Sequence, residues 1–356
     1  MINIKMDLTD KFCSRPWDFF EIQEKNIYNC CPTWVNHVTI GETTTDLDIE
    51  KIWNGDLAKN FRKSILDGSF KFCNKELCPQ IKNNSLPTIQ EVKEGKIGSI
   101  YSTIIEYKLT QADKPGTINL CYDRSCNLRC PSCRKDFIYY TEKTYKKEFD
   151  RLTLINEAVL KYVHSEKKEI TLNITGSGDP FGSKHFYNLL KQLNYNKNPK
   201  IKLLLQTNGV LFDEKRWEDL KNIHKFHIDT IISLDAGDKQ SYDLTRRGGD
   251  WNKVNHNLGF IKKLQEQKLI NWVRLDMVVQ NNNYKTIPQF IDIARKHDFH
   301  SYTSRIVNWG TFTPIEFMYH NIFNTNHKNY IDLKRLVKQV SPYEKHDWGN
   351  ISDILN

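Results

Sequence analysis

The chain has 356 residues, 39% of them hydrophobic and 12% aromatic, with 52 Lys and Arg against 43 Asp and Glu for a net charge of +9. That balance excludes a disordered polymer, and no run of eighteen apolar residues offers a membrane span. The excess of positive charge is moderate and interleaved with acidic residues, as in Ser165-Glu166-Lys167-Lys168, so it reads as solvated surface and argues against nucleic acid as a partner.

The amino-terminal stretch Met1-Ile2-Asn3-Ile4-Lys5-Met6-Asp7-Leu8 holds no apolar segment long enough for a secretory signal. A cytoplasmic protein in a reducing compartment is therefore expected. Nine cysteines follow in two groups, with none after Cys133. Disulfide staples would reach the rest of the chain as well, so ligation of a metal or cluster is the better reading. The first group is Cys13, Cys30, Cys31, Cys73 and Cys78. Residues from about 82 to 115, with Pro87, Pro115 and polar content, look like a connector.

From residue 116 onward, β-branched runs alternate with helical patterns. Strands are expected at 117–122, 169–175, 201–207, 229–235, 273–280 and 301–307. Helices are expected near 150–163, 184–194, 213–222, 251–267 and 285–297. In the helix near 251–267, Val254, Leu258, Ile261 and Leu264 recur at three- or four-residue steps. This order predicts an α/β fold, a partial (β/α)6 TIM-like barrel. Beyond residue 308, a segment with Trp309, Tyr319 and His320 would close the open barrel, and 330–337 reads as an amphipathic helix.

Ligand groups in such barrels collect at the carboxyl ends of strands, and the polar and glycine motifs fall there. The first strand runs into Cys126-Asn127-Leu128-Arg129-Cys130-Pro131-Ser132-Cys133, and the second into Thr175-Gly176-Ser177-Gly178-Asp179-Pro180. The third ends in Thr207-Asn208-Gly209 and the fourth in Ser233-Leu234-Asp235. The spacing C-x3-C-x2-C offers three thiolates from one loop. A cubane has four irons, so three protein ligands leave one iron open. Zinc, the alternative, would normally want four ligands in C-x2-C pairs.

The cysteine loop and the motifs registered after it resemble the radical S-adenosylmethionine (SAM) superfamily over roughly residues 116–308. The resemblance implies that Cys126, Cys130 and Cys133 ligate a [4Fe-4S] cluster whose open iron chelates the amino and carboxylate groups of SAM. Ser132 stands where relatives commonly place an aromatic residue. Ser177, Gly178 and Asp179 occupy the place of the family's Gly-Gly-Glu segment, which binds the methionyl amino group, and Asn208 would line the same pocket. Ser233 and Asp235 would meet the ribose, with Asp235 as a helix cap the plainer alternative. Arg247 would face the SAM carboxylate, a surface arginine being the alternative. Cys121 reads as a small core residue.

The amino-terminal cysteines resemble the auxiliary-cluster module called SPASM or twitch. Cys13 stands near Pro16 and Trp17, a hairpin-like run ends at Cys30-Cys31, an Ile-Trp helix covers Ile52-Trp53, and Cys73 and Cys78 form a C-x4-C pair. Here the module precedes the core, whereas in relatives it follows. The resemblance implies a second [4Fe-4S] cluster on Cys13, Cys30, Cys73 and Cys78. Cys31 is an alternative to Cys30, and a zinc knot is the structural alternative. Trp53 reads as core. The domains expected are a cysteine-rich α+β module over 1–95 with a connector to about 115, a radical SAM core over 116–308, and a helical extension over 309–356.

The implied activity is reductive cleavage of SAM to a 5′-deoxyadenosyl radical that abstracts hydrogen from a substrate, with a peptide or protein side chain first. A dehydrogenase or epimerase of a sugar-type small molecule stands second. A non-enzymatic zinc or Fe-S module that binds RNA stands as the reading from another class. A reductant protein such as flavodoxin or ferredoxin is the implied partner.

Overall fold

A computed structural model of the chain describes residues 7–355 apart from His37. Residues 1–6, part of the stretch read above for a signal, lie outside the described residues. No helix among the described residues is long and apolar enough to cross a membrane.

The chain divides into two compact units. The first takes residues up to Tyr122 with Arg151–Leu172, and the second takes Asp123–Asp150 with Asn173 onward. Ten strands are present: β1 (Phe19–Gln23), β2 (Asn26–Tyr28), β3 (Gly41–Glu42), β4 (Thr117–Cys121), β5 (Ile170–Ile174), β6 (Ile201–Thr207), β7 (His227–Ser233), β8 (Trp272–Val279), β9 (His300–Arg305) and β10 (His346–Asp347). All six expected strands form within two residues of their expected bounds, as β4 to β9. The protein is α/β and most of its strand pairings are parallel.

In the second unit β6, β7, β8, β9 and β10 lie side by side in chain order and parallel. Side chains alternate along β8: Val273, Leu275, Met277 and Val279 are buried, while Trp272, Arg274, Asp276 and Val278 are half-buried. A strand puts successive residues on opposite faces, so one face packs on helices and the other carries polar groups. The covering helices start where short polar residues can accept their orphan N–H groups. Asp250 caps Trp251–Glu266 through Asn252 N and Lys253 N, and Ser183 caps Lys184–Gln192 through Phe186 N. Val254, Leu258, Ile261 and Leu264 are buried, as their spacing predicted.

The first unit adds three short strands, of which the hairpin leading to Cys30 was expected and β3 was not. β1 and β2 form an antiparallel hairpin, with Glu21 opposite Tyr28, and β3 extends it. β1 also runs parallel beside β4, pairing Phe19 with Thr117 through to Gln23 with Cys121. The stretch 82–115 is more than a connector, since it holds helices Ile89–Lys93 and Ser99–Glu106. A capping box between Thr88 and Glu91 begins the first of these, and its sequence signature was present.

Arg62 ties this unit together. It has no exposed surface and donates to the carbonyls of Pro16 (2.8 Å), Trp53 (2.9 Å) and Thr110 (3.0 Å) and to Asn54 Oδ1 (3.1 Å). Its guanidinium lies 4.3 Å from the centroid of the Trp53 ring, and Trp53 is itself core, as expected. Burial pushes the pKa of Arg62 down to about 9. Arg62→Met should cost about 3–5 kcal/mol of unfolding free energy, because buried carbonyls lose a charged donor. Denaturant unfolding measures this; a loss below ~1 kcal/mol would mean that water takes over the guanidinium's bonds.

Candidate functional site

The loop that follows β4 is fixed at its start by Asp123. Its buried carboxylate accepts from Ser125 N (2.7 Å) and Ser183 Oγ (2.5 Å) and faces His185 Nδ1 at 3.0 Å. Burial works against that charge, but hydrogen bonds from His185 and Ser183 outweigh it and hold Asp123 below the ordinary carboxylate range. Farther along, Cys126 N donates to Ile138 O (3.0 Å) and Cys133 N to Cys130 O (2.9 Å). These bonds curl the loop so that Cys126, Cys130 and Cys133 line one cleft with Thr175 to Asp179, Gln206 to Asn208, Ser233 and Arg246.

The cleft has a volume of about 90 Å³, narrower than a typical small-molecule site. Among the described residues, no three His, Cys, Asp or Glu groups gather as a single ion would require. The thiols therefore line a cleft rather than meet at a point. Each sulfur has an N–H donor: Leu128 N lies 3.4 Å from Cys126, Arg246 Nη1 3.7 Å from Cys130, and Arg134 Nη2 3.4 Å from Cys133. Burial pushes the Cys126 thiol up to about 12, and Cys130 is raised by the same cause. Such thiols need cationic partners to become thiolates. A donor set of three soft ligands in a sheltered cleft fits an iron-sulfur cluster.

The segment after β5 packs tightly on the loop. A Cβ on Gly178 would stand 2.5 Å from Asp123 O and 2.7 Å from Ser125 O, so only glycine fits there. Ser177 and Gly178 line the cleft. Asp179 is buried, and its carboxylate accepts five hydrogen bonds. Oδ1 takes Phe181 N and Gly182 N at 3.0 Å each; Oδ2 takes Thr207 Oγ1 (2.8 Å), Asn208 N (2.9 Å) and Asn208 Nδ2 (2.7 Å). A carboxylate offers about four acceptor positions, so this one is filled from within the protein. Burial nevertheless leaves its pKa raised.

Ser233 ends β7 at the cleft. Asp235 beyond it takes φ +55°, a left-handed conformation that aspartate tolerates. It does not cap the next helix, Lys239–Thr245, which is capped by Asp238. Instead Asp235 pairs with Arg246, Nη2 to Oδ2 at 2.9 Å, and accepts from Val278 N at 2.7 Å. The arginine that faces the cysteines is thus Arg246, whereas Arg247 is exposed. Arg246 N donates to Tyr242 O and so continues the face of buried Tyr242, a four-residue step that was readable once that helix is recognised. Arg134 had no periodic signal. It is buried and donates to the carbonyls of Arg124 and Ser177.

In the first unit, Cys13, Cys30, Cys73 and Cys78 line a second cavity of about 250 Å³. The β1–β2 hairpin delivers Cys30, and the chain after it pairs with the Cys73 segment through Asn36 N to Phe72 O (3.0 Å) and Asn74 N to Trp34 O (2.8 Å). Cys78 stands immediately before the short helix Pro79–Lys82. Burial pushes Cys13 up to about 11 and Cys73 to about 12. Cys31 lies outside this cavity lining, with its Sγ 3.2 Å from Thr33 Oγ1. Cys121 is buried in β4, 3.3 Å from Asn119 Nδ2.

A family model, that of the Radical SAM superfamily, matches residues 123–318, more than half of the chain. No curated protein matches. Among solved structures, the chain is similar to SuiB of Streptococcus suis bound to S-adenosylmethionine, at 15% identity and a TM-score of 0.39, over 70% of this chain and 48% of that one. It is also similar to TsrM of Kitasatospora setae, a radical S-adenosylmethionine methyltransferase with tryptophan substrate and a SAM analog bound. That match has 11% identity and a TM-score of 0.34, over 51% of this chain and 34% of that one. The chain thus spans less than half the length of either.

Proposed function

The chain belongs to the Radical SAM superfamily, and on that premise we propose that it cleaves SAM reductively in the cysteine cleft and takes hydrogen from a peptide or protein side chain. The carrying observation is that three cysteines of one loop share a cleft with the Ser177–Asp179 segment, Asn208 and Ser233. When bound, the cluster and SAM supply one-electron cleavage of a sulfonium bond and a carbon radical. In this reading Cys126, Cys130 and Cys133 hold three irons, and β4 to β9 with their helices make the partial barrel over 116–308. Ser177 and Gly178 offer backbone groups to the methionyl end, while Ser233 and Asp235 stand toward the ribose. Arg246, rather than Arg247, is the cation beside SAM.

Asp179 serves in this reading as an anchor, since its carboxylate is occupied by Thr207, Asn208 and the 181–182 turn. Asp179→Ala should then lower unfolding stability by about 1.5–3 kcal/mol and weaken SAM binding indirectly, by about tenfold, through release of Asn208 and the 181–182 turn. Calorimetric titration of the reconstituted protein reads it. An unchanged dissociation constant would make the hub irrelevant to SAM.

The amino-terminal unit is read as the SPASM- or twitch-like module with a second [4Fe-4S] cluster on Cys13, Cys30, Cys73 and Cys78, a module and connector over 1–115. Support comes from the four thiols lining one cavity while Cys31 turns to Thr33. A peptide substrate is supported by the surface beside the cysteine loop. Trp309, Ile315, Met318 and Tyr319 are all more than half exposed, an apolar concentration of the kind that marks binding surfaces. Glu316 in the same segment is held below the usual carboxylate range chiefly by hydrogen bonds from Thr313, with a smaller contribution from Lys135, two residues past Cys133. The test is anaerobic incubation with SAM and a reductant such as dithionite or reduced flavodoxin, following 5′-deoxyadenosine. No product above the protein-free control, with the cluster present, would reject the proposal.

A further inference from the structure

We infer that Arg134 and Arg246 set the reduction potential of the site formed by Cys126, Cys130 and Cys133, an inference that rests on the reading of those cysteines as cluster ligands. The three sulfurs receive three separate donors, from the Leu128 backbone, Arg246 and Arg134. Two of the three are cationic. Both guanidiniums are withdrawn from water: Arg134 is 4% exposed, and the side chain of Arg246 is 12% exposed. Solvent and salt therefore screen them poorly.

Potentials of iron-sulfur centres depend on net charge, on hydrogen bonds to the sulfurs and on exposure. Reduction adds one negative charge to a group already ligated by thiolates. A fixed cation within hydrogen-bond reach of a thiolate stabilises the reduced form more than the oxidised one, and so raises the potential.

The two arginines differ in how their charge is balanced. Arg134 is anchored by the carbonyls of Arg124 and Ser177, and no carboxylate among the described residues forms a salt bridge with it. It presents an uncompensated charge at Cys133. Arg246 is paired with Asp235 at 2.9 Å, so at Cys130 the pair acts as a dipole with its positive end toward the sulfur. Losing Arg134 should therefore cost more than losing the whole Arg246–Asp235 pair. Losing Arg246 alone should cost more than losing the pair, because Asp235 would be left as a buried negative charge.

The experiment is an anaerobic redox titration of the full reconstituted chain, followed by the electron paramagnetic resonance signal that changes when SAM is added. Arg134→Gln should shift the reduction equilibrium by about tenfold or more toward the oxidised form, ~59 mV for a one-electron couple. Arg246→Gln should shift it in the same direction, and the Arg246→Gln/Asp235→Asn double variant should recover at least about half of that shift. Arg134→Lys and Arg246→Lys, which keep the charge, should stay within about threefold of the parent. A potential within threefold of the parent in Arg134→Gln, with iron content intact, overturns the inference. If the Gln variants lose iron, the Lys variants decide: retention of iron with a tenfold shift overturns it equally. Failure of the underlying reading looks different, because a SAM-responsive signal would then survive replacement of Cys126, Cys130 and Cys133 together.

Discussion

Cys126→Ala, Cys130→Ala and Cys133→Ala are each expected to abolish formation of 5′-deoxyadenosine from SAM. Each thiolate holds one iron in the proposed arrangement, and the fourth iron must stay open for SAM. The loop itself should survive the substitutions. Its main ties, from Asp123 to Ser125 N and Ser183 Oγ and from Cys126 N to Ile138 O, involve no cysteine side chain. Loss of activity should therefore come without loss of fold, which circular dichroism of each variant checks. If all three variants form the product at near-parental rates, the cluster does not sit on this loop.

The second large effect concerns iron content. The triple variant of Cys126, Cys130 and Cys133 should retain about four irons per chain after anaerobic reconstitution, as a second [4Fe-4S] cluster requires. Adding Cys13→Ala, Cys73→Ala and Cys78→Ala should remove them. The basis is the single cavity lined by Cys13, Cys30, Cys73 and Cys78, whose members span the amino-terminal unit and meet only through folding. Cys31→Ala should leave the iron in place, since that sulfur is turned to Thr33. Zinc in place of iron in the triple variant would make the unit a structural zinc knot and end the reading of a second iron-sulfur cluster.

Period and punctuation made much of the second unit legible. β6 matched its expected bounds, because its alternation of buried and half-buried residues is strict. The helix Trp251–Glu266 was readable from its apolar spacing and from Asp250 before it. The amino-terminal strands, two to five residues long, are too short for a period to show, and only the hairpin before Cys30 was expected, from the resemblance of its cysteine pattern. β1 also owes its place to pairing with β4 nearly a hundred residues later, and long-range pairing leaves no local mark. At the site, residue types after strand ends pointed to the cleft, but the choice between neighbours did not. Arg246 and Arg247 differ only in helical phase relative to Tyr242, and phase could not be assigned while Lys239–Thr245 went unrecognised. Asp179 was visible as a carboxylate, yet the donors that fill it come from loops that meet only in three dimensions.

The helix Pro314–His320 buries none of its side chains, and Ile315 is 81% exposed. It is held by its own backbone bonds and by the capping box of Thr313 and Glu316, local terms of about a kilocalorie each, and at its far end by single bonds from Asn281 N to His320 O and between His327 and Tyr319 O. Its opening free energy is accordingly far below that of the sheet. Its amides should therefore exchange with solvent much faster than those of β7 or β8. Any partner that lies across Ile315 and Met318 has to select the helical form, and its measured affinity is reduced by the fraction of time that form is absent. Recognition at this rim is then adjustable through helix propensity alone, without touching a single contact residue.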